Sequence, residues 1–273
     1  MDEVSRFYTG AGGLVTAIAS ALDAAGMDRA ALRPADLTAV DEFHIRGRAA
    51  TMEIIDALAL TDRSHVLDLG SGLGGPARTL AEVAGCTVTG IDLTPEFCEA
   101  ATALSEWTGL SGLTRFRVGD ATATGLPDGA MDGALMVHVA MNIPAKPALY
   151  AEAFRVLRPG GRFVVYDVLQ GEGGSVRYPV PWANDETTSF LATPDEMREM
   201  LAAAGFDLVS EADSSDAGLA WFRNVRDRIS REGPPPVTFA AFLGDAFGQM
   251  AANQVANLAE RRIRTVMFTC SKP

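Results

Sequence analysis

Histidine, cysteine, positive charge and long apolar runs are what this chain has least of. Cys86, Cys98 and Cys270 are its only cysteines. They are odd in number and show no metal-ligand spacing, so a disulfide framework and a paired-cysteine zinc site are both excluded, and a reduced, cytoplasmic setting is the expectation. The three histidines include His44 and His65, which lie apart without a ligand pattern, and no H-E-x-x-H occurs; no metal is expected. No apolar run approaches the ~20 residues of a membrane span, and the first residues lack a basic stretch before an apolar core, so neither membrane nor export is expected. Lys and Arg number 23 against 35 Asp and Glu, a net charge of −12. Phosphate backbones are bound by displacing counterions with cations, so a nucleic-acid partner is excluded as well. What remains, with 48% apolar and 21% charged residues over 273 positions, is enough for a full core in one elaborated domain. There is no internal repeat, and Gly233 to Pro236 reads as a break between helices.

The chain is organised around VLDLGSGLGG, Val66 to Gly75. A short buried strand stops at Asp68 and turns through Gly70, Ser71, Gly72, Gly74 and Gly75 into a helix starting near Pro76. Glycines so spaced let backbone approach a ligand with no Cβ between, and the helix start aims free N–H groups at it, which suits a nucleotide-like cofactor. A second strand, Val88 to Ile91, ends at Asp92, where a carboxylate can accept from both hydroxyls of a ribose. A third ends in Gly119, Asp120 and Ala121, where a carboxylate can accept from an exocyclic amine. Open α/β sheets bind ligands at this carboxyl edge.

From Ser64 onward strands alternate with helical stretches, the rhythm of a doubly wound parallel sheet. The fourth strand is read as ALMVHVAMNI, ended by Pro144, then a helix over 148–157 and the strand RFVVYDVL. Thr193, Pro194 and Glu196 make a capping box opening a helix that runs to Gly205, and FDLVSEA is strand six. Before the sheet lie a helix from Leu14 to Ala25 and one within 41–58 whose apolar face is Met52, Ile55 and Leu58.

DLGSGLGG, GIDL at Gly90 to Leu93, GDA at Gly119 to Ala121 and RVLRPGGRF at Arg155 to Phe163 together resemble the class I S-adenosylmethionine-dependent methyltransferases. The resemblance spans about residues 40 to 212 and is nearest to small-molecule types such as sarcosine/dimethylglycine N-methyltransferases, sugar O-methyltransferases and quinone C-methyltransferases. It implies an α/β, mostly parallel seven-stranded, Rossmann-like sheet with a helical cap. The expected division is a helical cap at 1–62, a cofactor-binding core at 63–212 and 263–273, and a helical insertion at 213–262. It implies S-adenosyl-L-methionine as cofactor and S-adenosyl-L-homocysteine as product, held by Asp68, Gly70, Ser71, Gly72, Gly74, Asp92, Leu93, Asp120, Ala121, Val137 and His138. In relatives an N-terminal segment folds over the cofactor, which brings in Tyr8, and a His-x-x-Gly loop lies against it, which brings in His44, Arg46 and Gly47.

Methyl transfer is an in-line displacement that asks for dryness, alignment and, for a protonated nucleophile, a base. His138, at the end of strand four, is the base candidate because imidazole titrates near neutrality, and Asp167, ending strand five, is placed to orient it or to bind a cationic acceptor. A structural strand-end role for His138 stands beside this. Tyr178, Trp182 and Phe190 border the expected acceptor pocket. Where the family has a short hairpin, residues 213–262 intervene, with Trp221, Phe222, Phe239, Phe242, Leu243, Phe247 and Met250 as apolar content; they form a lid over a small-molecule substrate or the surface of a homodimer. The alternatives are an aminopropyl-transferase-like enzyme and a non-catalytic binding protein.

Overall fold

The computed structural model describes residues 13–239 and 243–273. Seven strands form one sheet: β1 His65–Leu69, β2 Thr87–Asp92, β3 Thr114–Val118, β4 Met131–Val137, β5 Leu157–Gln170, β6 Asp207–Asp213 and β7 Ile263–Ser271. Their order is β3-β2-β1-β4-β5-β7-β6, with β7 antiparallel to both neighbours. The expected α/β sheet is present, closed by the IRTVMFTCS strand. Parallel registers pair Leu69 with Ile91, Leu69 with Met136, Asp92 with Val118 and Val137 with Tyr166, so the ends of β1 to β4 open on one edge.

The strands read as continuous apolar runs because helices cover both faces. Side chains alternate between two cores with the strand period of two. Leu67, Leu69, Ala134, Met136, Phe163 and Val165 pack under helices α6 (Lys146–Val156) and α7 (Pro194–Ala203). Val66, Val88, Leu135, Val164 and Tyr166 pack under α3 (Arg48–Leu58) and α4 (Gly75–Ala84). Helices α1 (Leu14–Ala24) and α2 (Pro34–Asp41) lie outside α5 (Pro95–Trp107), joined to it through Ile18, Leu37 and Phe97. Helix α3 packs on the sheet, whereas α1 packs on α5 and α2 packs mainly on α4, so the layer covering the sheet begins at Arg48.

Three local expectations are corrected. Strand β4 ends at Val137, before Pro144: His138 takes a positive φ of 54° and a 3-10 turn follows at Ala140–Asn142. In α3 it is Ile54 that is buried at 0% exposure, while Met52 is 37% exposed. Helix α2, not expected at all, starts on Pro34, with Asp36 accepting from the Arg33 N–H at 2.9 Å. The α7 capping box forms: Thr193 Oγ1 accepts from Glu196 N at 3.3 Å and Glu196 Oε2 from Thr193 N at 2.7 Å. In the insertion, α8 (Ser215–Glu232) and α9 (Phe247–Ala259) pack against each other and on the sheet side of Leu258 and Ile263.

Candidate active site

The strand ends surround a cavity of about 340 Å³ lined by Asp68, Gly70, Ser71, Gly72, Ile91, Asp92, Leu93, Asp120, Ala121, Val137 and His138. Asp92 binds the glycine turn directly: Oδ2 accepts from Gly72 N at 2.8 Å and Oδ1 from Thr94 N at 2.9 Å. Each oxygen keeps a lone pair for a ligand hydroxyl. Asp120 Oδ1 accepts from the N–H and hydroxyl of Thr122, both at 2.8 Å, which fixes that carboxylate on the rim.

The glycines divide in a way the spacing did not reveal. A Cβ on Gly70 would stand 2.4 Å from Val139 Cγ2, one on Gly74 2.5 Å from Phe116, and one on Gly75 2.3 Å from the Asp41 carbonyl oxygen, whereas one on Gly72 would meet nothing within 4 Å. Close packing requires the first three to be glycine. Only at Gly72 would a Cβ stand in open space; Gly70 and Gly72 both line the cavity, and Gly74 and Gly75 do not.

Whether these residues suit an adenosyl cofactor is tested by the buried polar atoms that lack partners. Among the described residues there are six, and three of them, Asp41 Oδ1, Asp68 Oδ2 and Ser71 Oγ, belong to residues lining this cavity. Burial, with Asp92 and Glu42 nearby, raises the Asp68 carboxyl to about 8, and burial raises Asp41 to about 6 against the pull of Arg78. An ammonium group satisfies such acceptors and returns their charge. An amino-acid moiety at this end, a ribose on Asp92 and a purine between Leu93 and Asp120 make a consistent fit.

A second cavity, about 450 Å³, adjoins the first; Phe43, His44 and His138 line both. Its walls are Ile45, Met141, Trp182, Trp221, Phe222, Val225 and Phe239, so the insertion helix α8 forms one side. Trp182, 2% exposed, is a wall of this chamber, with its indole N–H on Ser189 Oγ at 3.0 Å.

His138 is fully engaged. Nδ1 lies 3.2 Å from the Tyr166 carbonyl oxygen, which only accepts, so this nitrogen carries the proton; Nε2 then accepts from Ile45 N–H at 3.3 Å. Burial, with His44 beside it, holds His138 down at about 3. The lone pair that the expected base would use is occupied, which corrects that expectation. Asp167 lines neither chamber. It is 1% exposed beneath the Ala140–Asn142 turn, its Oδ1 accepting from Val168 N at 2.9 Å, and backbone atoms rather than Asp167 orient His138.

His44, 7% exposed, reaches both chambers. Its Nε2 is 3.0 Å from the Gly47 carbonyl oxygen, so Gly47 lies behind the histidine and off the cavity surface. Tyr8 and Phe242 lie outside the described residues. Sequence reasoning missed Asp41, Phe43 and the turn from Val139 to Ala145. Asp41 ends the unexpected helix α2, and it is tied by Arg78 Nη2 at 2.8 Å; a buried Arg at the second turn of the helix after the glycine loop was the available signal.

Residues 67–165 match the model of the family described as methyltransferase domain. Over 216 residues the chain is 31% identical to sterol 24-C-methyltransferase ERG6B of Gibberella zeae, covering 76% of this chain and 54% of the relative. The chain spans about half the length of the curated relatives it matches. Among solved structures, a Haemonchus contortus phosphoethanolamine N-methyltransferase 2 covers all of the chain with 61% of its own (TM-score 0.76, 17% identity). The [4+2]-cyclase SpnF covers 94% with 93% of its own (TM-score 0.67, 23% identity). Both structural likenesses are likenesses of fold.

Proposed function

Residues 67–165 being a methyltransferase domain within the fold of S-adenosylmethionine-dependent small-molecule methyltransferases, we propose that this chain transfers a methyl group from S-adenosyl-L-methionine to a small, largely apolar acceptor. The observation that carries the reading is the pairing of chambers: one lined by the Asp92-clamped glycine turn and three unpartnered buried acceptors, the other apolar, meeting at His44 and His138.

The cofactor, when bound, supplies a methyl group already activated by a cationic sulfur. The chain's residues do the rest. Asp92 would accept from the ribose hydroxyls, Asp120 from the purine amine, and Asp68, Asp41 and Ser71 would hold the ammonium end. Phe43, His44 and His138 form the boundary across which the acceptor atom must come within ~3 Å of the methyl carbon. Trp182, Trp221, Phe222 and Phe239 exclude water from the acceptor side, which strengthens every polar contact inside. No step of this reading draws on a metal.

The 450 Å³ of the acceptor chamber and its aromatic walls support an isoprenoid or polycyclic acceptor; the sterol named for one relative is of that kind. Residues 213–262 serve as a lid in this reading, because α8 contributes a wall. No helix among the described residues is long and apolar enough to cross a membrane, and three buried free cysteines support a reducing compartment such as the cytoplasm.

Two measurements test the reading together. Calorimetry should show binding of S-adenosylhomocysteine that Asp92→Ala abolishes. Tritium from labelled S-adenosylmethionine should pass to at least one of 2-naphthol, farnesol and estradiol, apolar probes of increasing size. Binding without transfer would favour a protein that holds the cofactor for another purpose; no binding would leave a non-catalytic relative.

A further inference from the structure

The two ring nitrogens of His44 have different surroundings. The Gly47 carbonyl oxygen, 3.0 Å from Nε2, accepts only, so Nε2 carries the proton and Nδ1 holds a lone pair. Among the described residues no hydrogen bond takes that lone pair, and His44 lines both chambers. Behind the ring stands Glu42, 2% exposed, with Oε2 3.6 Å from His44 Nε2. Its carboxylate accepts on both oxygens, from Thr51 Oγ1 at 2.7 Å and from Thr79 Oγ1 at 2.9 Å. Arg48 Nη1 donates to Thr79 Oγ1 at 2.7 Å, so the Thr79 proton must point at Glu42. A buried carboxyl group, pushed up by burial against the pull of its two threonine hydrogen bonds, therefore lies behind one nitrogen of a neutral imidazole, and the other nitrogen keeps its lone pair.

Resting on the methyl-transfer reading, we propose that His44 is the catalytic proton acceptor of this enzyme and that Glu42 is its positioning residue. As the acceptor atom bonds to the methyl carbon and the carbon–sulfur bond breaks with its electron pair staying on sulfur, the acceptor's proton passes to His44 Nδ1 and the electron pair of the acceptor–hydrogen bond stays on the acceptor. The Nε2–H remains on the Gly47 carbonyl, and Glu42 faces the new imidazolium. The proton then leaves to solvent when the chamber opens.

The site is weakly basic. Burial, opposed by the Gly47 hydrogen bond and assisted by Arg46, holds His44 at about 4. The charged or titratable groups around the ring are Glu42, Arg46, His138 and Tyr166. A base of that strength suits a proton that methylation itself makes strongly acidic, such as the O–H of an oxygen gaining a methyl.

With three histidines in the chain, a long-range proton–nitrogen NMR spectrum of the S-adenosylhomocysteine complex reads each tautomer without any acceptor. His44 should appear as Nε2–H with an unprotonated Nδ1, and His138 as Nδ1–H; a His44 protonated on Nδ1 would overturn the proposal. In tritium transfer to the best of 2-naphthol, farnesol and estradiol, His44→Gln, whose amide replaces the donor to Gly47, should lower turnover about a hundredfold with cofactor affinity within about threefold. Glu42→Gln should move the acid limb of the pH–rate profile to lower pH, because a neutral amide cannot face the His44 imidazolium with a negative charge as a carboxylate can, a shift that mere loosening of the loop would not produce. Unchanged turnover in His44→Gln sinks the proton-acceptor role and leaves methyl transfer standing. Transfer by the unmutated protein to none of the three probes, with cofactor bound, overturns the acceptor class and the proposal with it.

Discussion

Gly70 and Gly72 sit two residues apart in one turn, yet an added methyl group would meet opposite surroundings. On Gly70 it would collide with Val139; on Gly72 it would enter the cofactor chamber. Gly70→Ala should therefore cost about 1–3 kcal/mol of stability through overpacking, on top of left-handed strain at its φ of 74°, measured by denaturant unfolding. Gly72→Ala, at a φ of 51°, should cost only about 1–2 kcal/mol of left-handed strain while weakening S-adenosylhomocysteine binding in calorimetry. Equal losses of both properties in the two variants would contradict this division. A second residue-scale expectation concerns Arg78, 0% exposed, which holds Asp41 at 2.8 Å. Arg78→Met removes one partner of a buried pair and should destabilise by about 3–5 kcal/mol; a loss under about 1 kcal/mol would mean Asp41 is protonated and needs no partner.

At the scale of elements, the helix starts were legible where local chemistry sets them. Thr193, Pro194 and Glu196 announce α7, and Thr193→Ala should cost about 1 kcal/mol in thermal or denaturant unfolding, since the cap is local to the helix. A neutral result would show that packing of Met197 and Leu201 alone fixes the helix. Strand ends were less legible. The apolar run past Val137 reads as more strand, but the His138 N–H is taken by the Tyr166 carbonyl oxygen at 2.8 Å and the chain turns there through a positive φ. That bond joins residues far apart in sequence, so no local pattern reports it. Helix α2 was missed for a related reason: much of its stability comes from Leu37 and Val40 packing against Leu73 and Phe97.

For the molecule as a whole, buried titratable groups pull in two directions. Asp68, Asp167 and Asp41 are raised to about 8, 7 and 6. Their folded forms retain protons that the unfolded chain releases near pH ~4, so their contribution to stability is complete at low pH and is lost as pH rises through those values. His44 and His138 are depressed to about 4 and 3, so stability falls instead as pH drops below the unfolded value near ~6.5. Of these five groups only the carboxylates act between pH ~6.5 and 8, and each proton still held costs about 1.4 kcal/mol per pH unit. The melting temperature of the cofactor-free protein should therefore fall over that window. Bound S-adenosylhomocysteine should flatten the fall, since its ammonium lets Asp68 ionise, and its affinity should rise with pH as a proton is released. A melting temperature that climbs from pH 6.5 to 8 would refute the assignment.

The alternation of strands with helices from β1 onward, the glycine turn, the placing of Asp92 and Asp120 after strands two and three, and the long insertion before the last strand were readable from the amino-acid order. Periodicity, capping and turn chemistry depend on near neighbours along the chain, and the parallel sheet then leaves little choice of edge. What only the tertiary structure decided is which side chains keep a free atom at that edge. His138 lost its lone pair to Ile45, 93 residues away, while His44 kept one because a backbone carbonyl three residues on took its other nitrogen. Hydrogen-bond saturation in a buried site depends on segments distant in sequence that meet only on folding, and it separates a structural histidine from a reactive one.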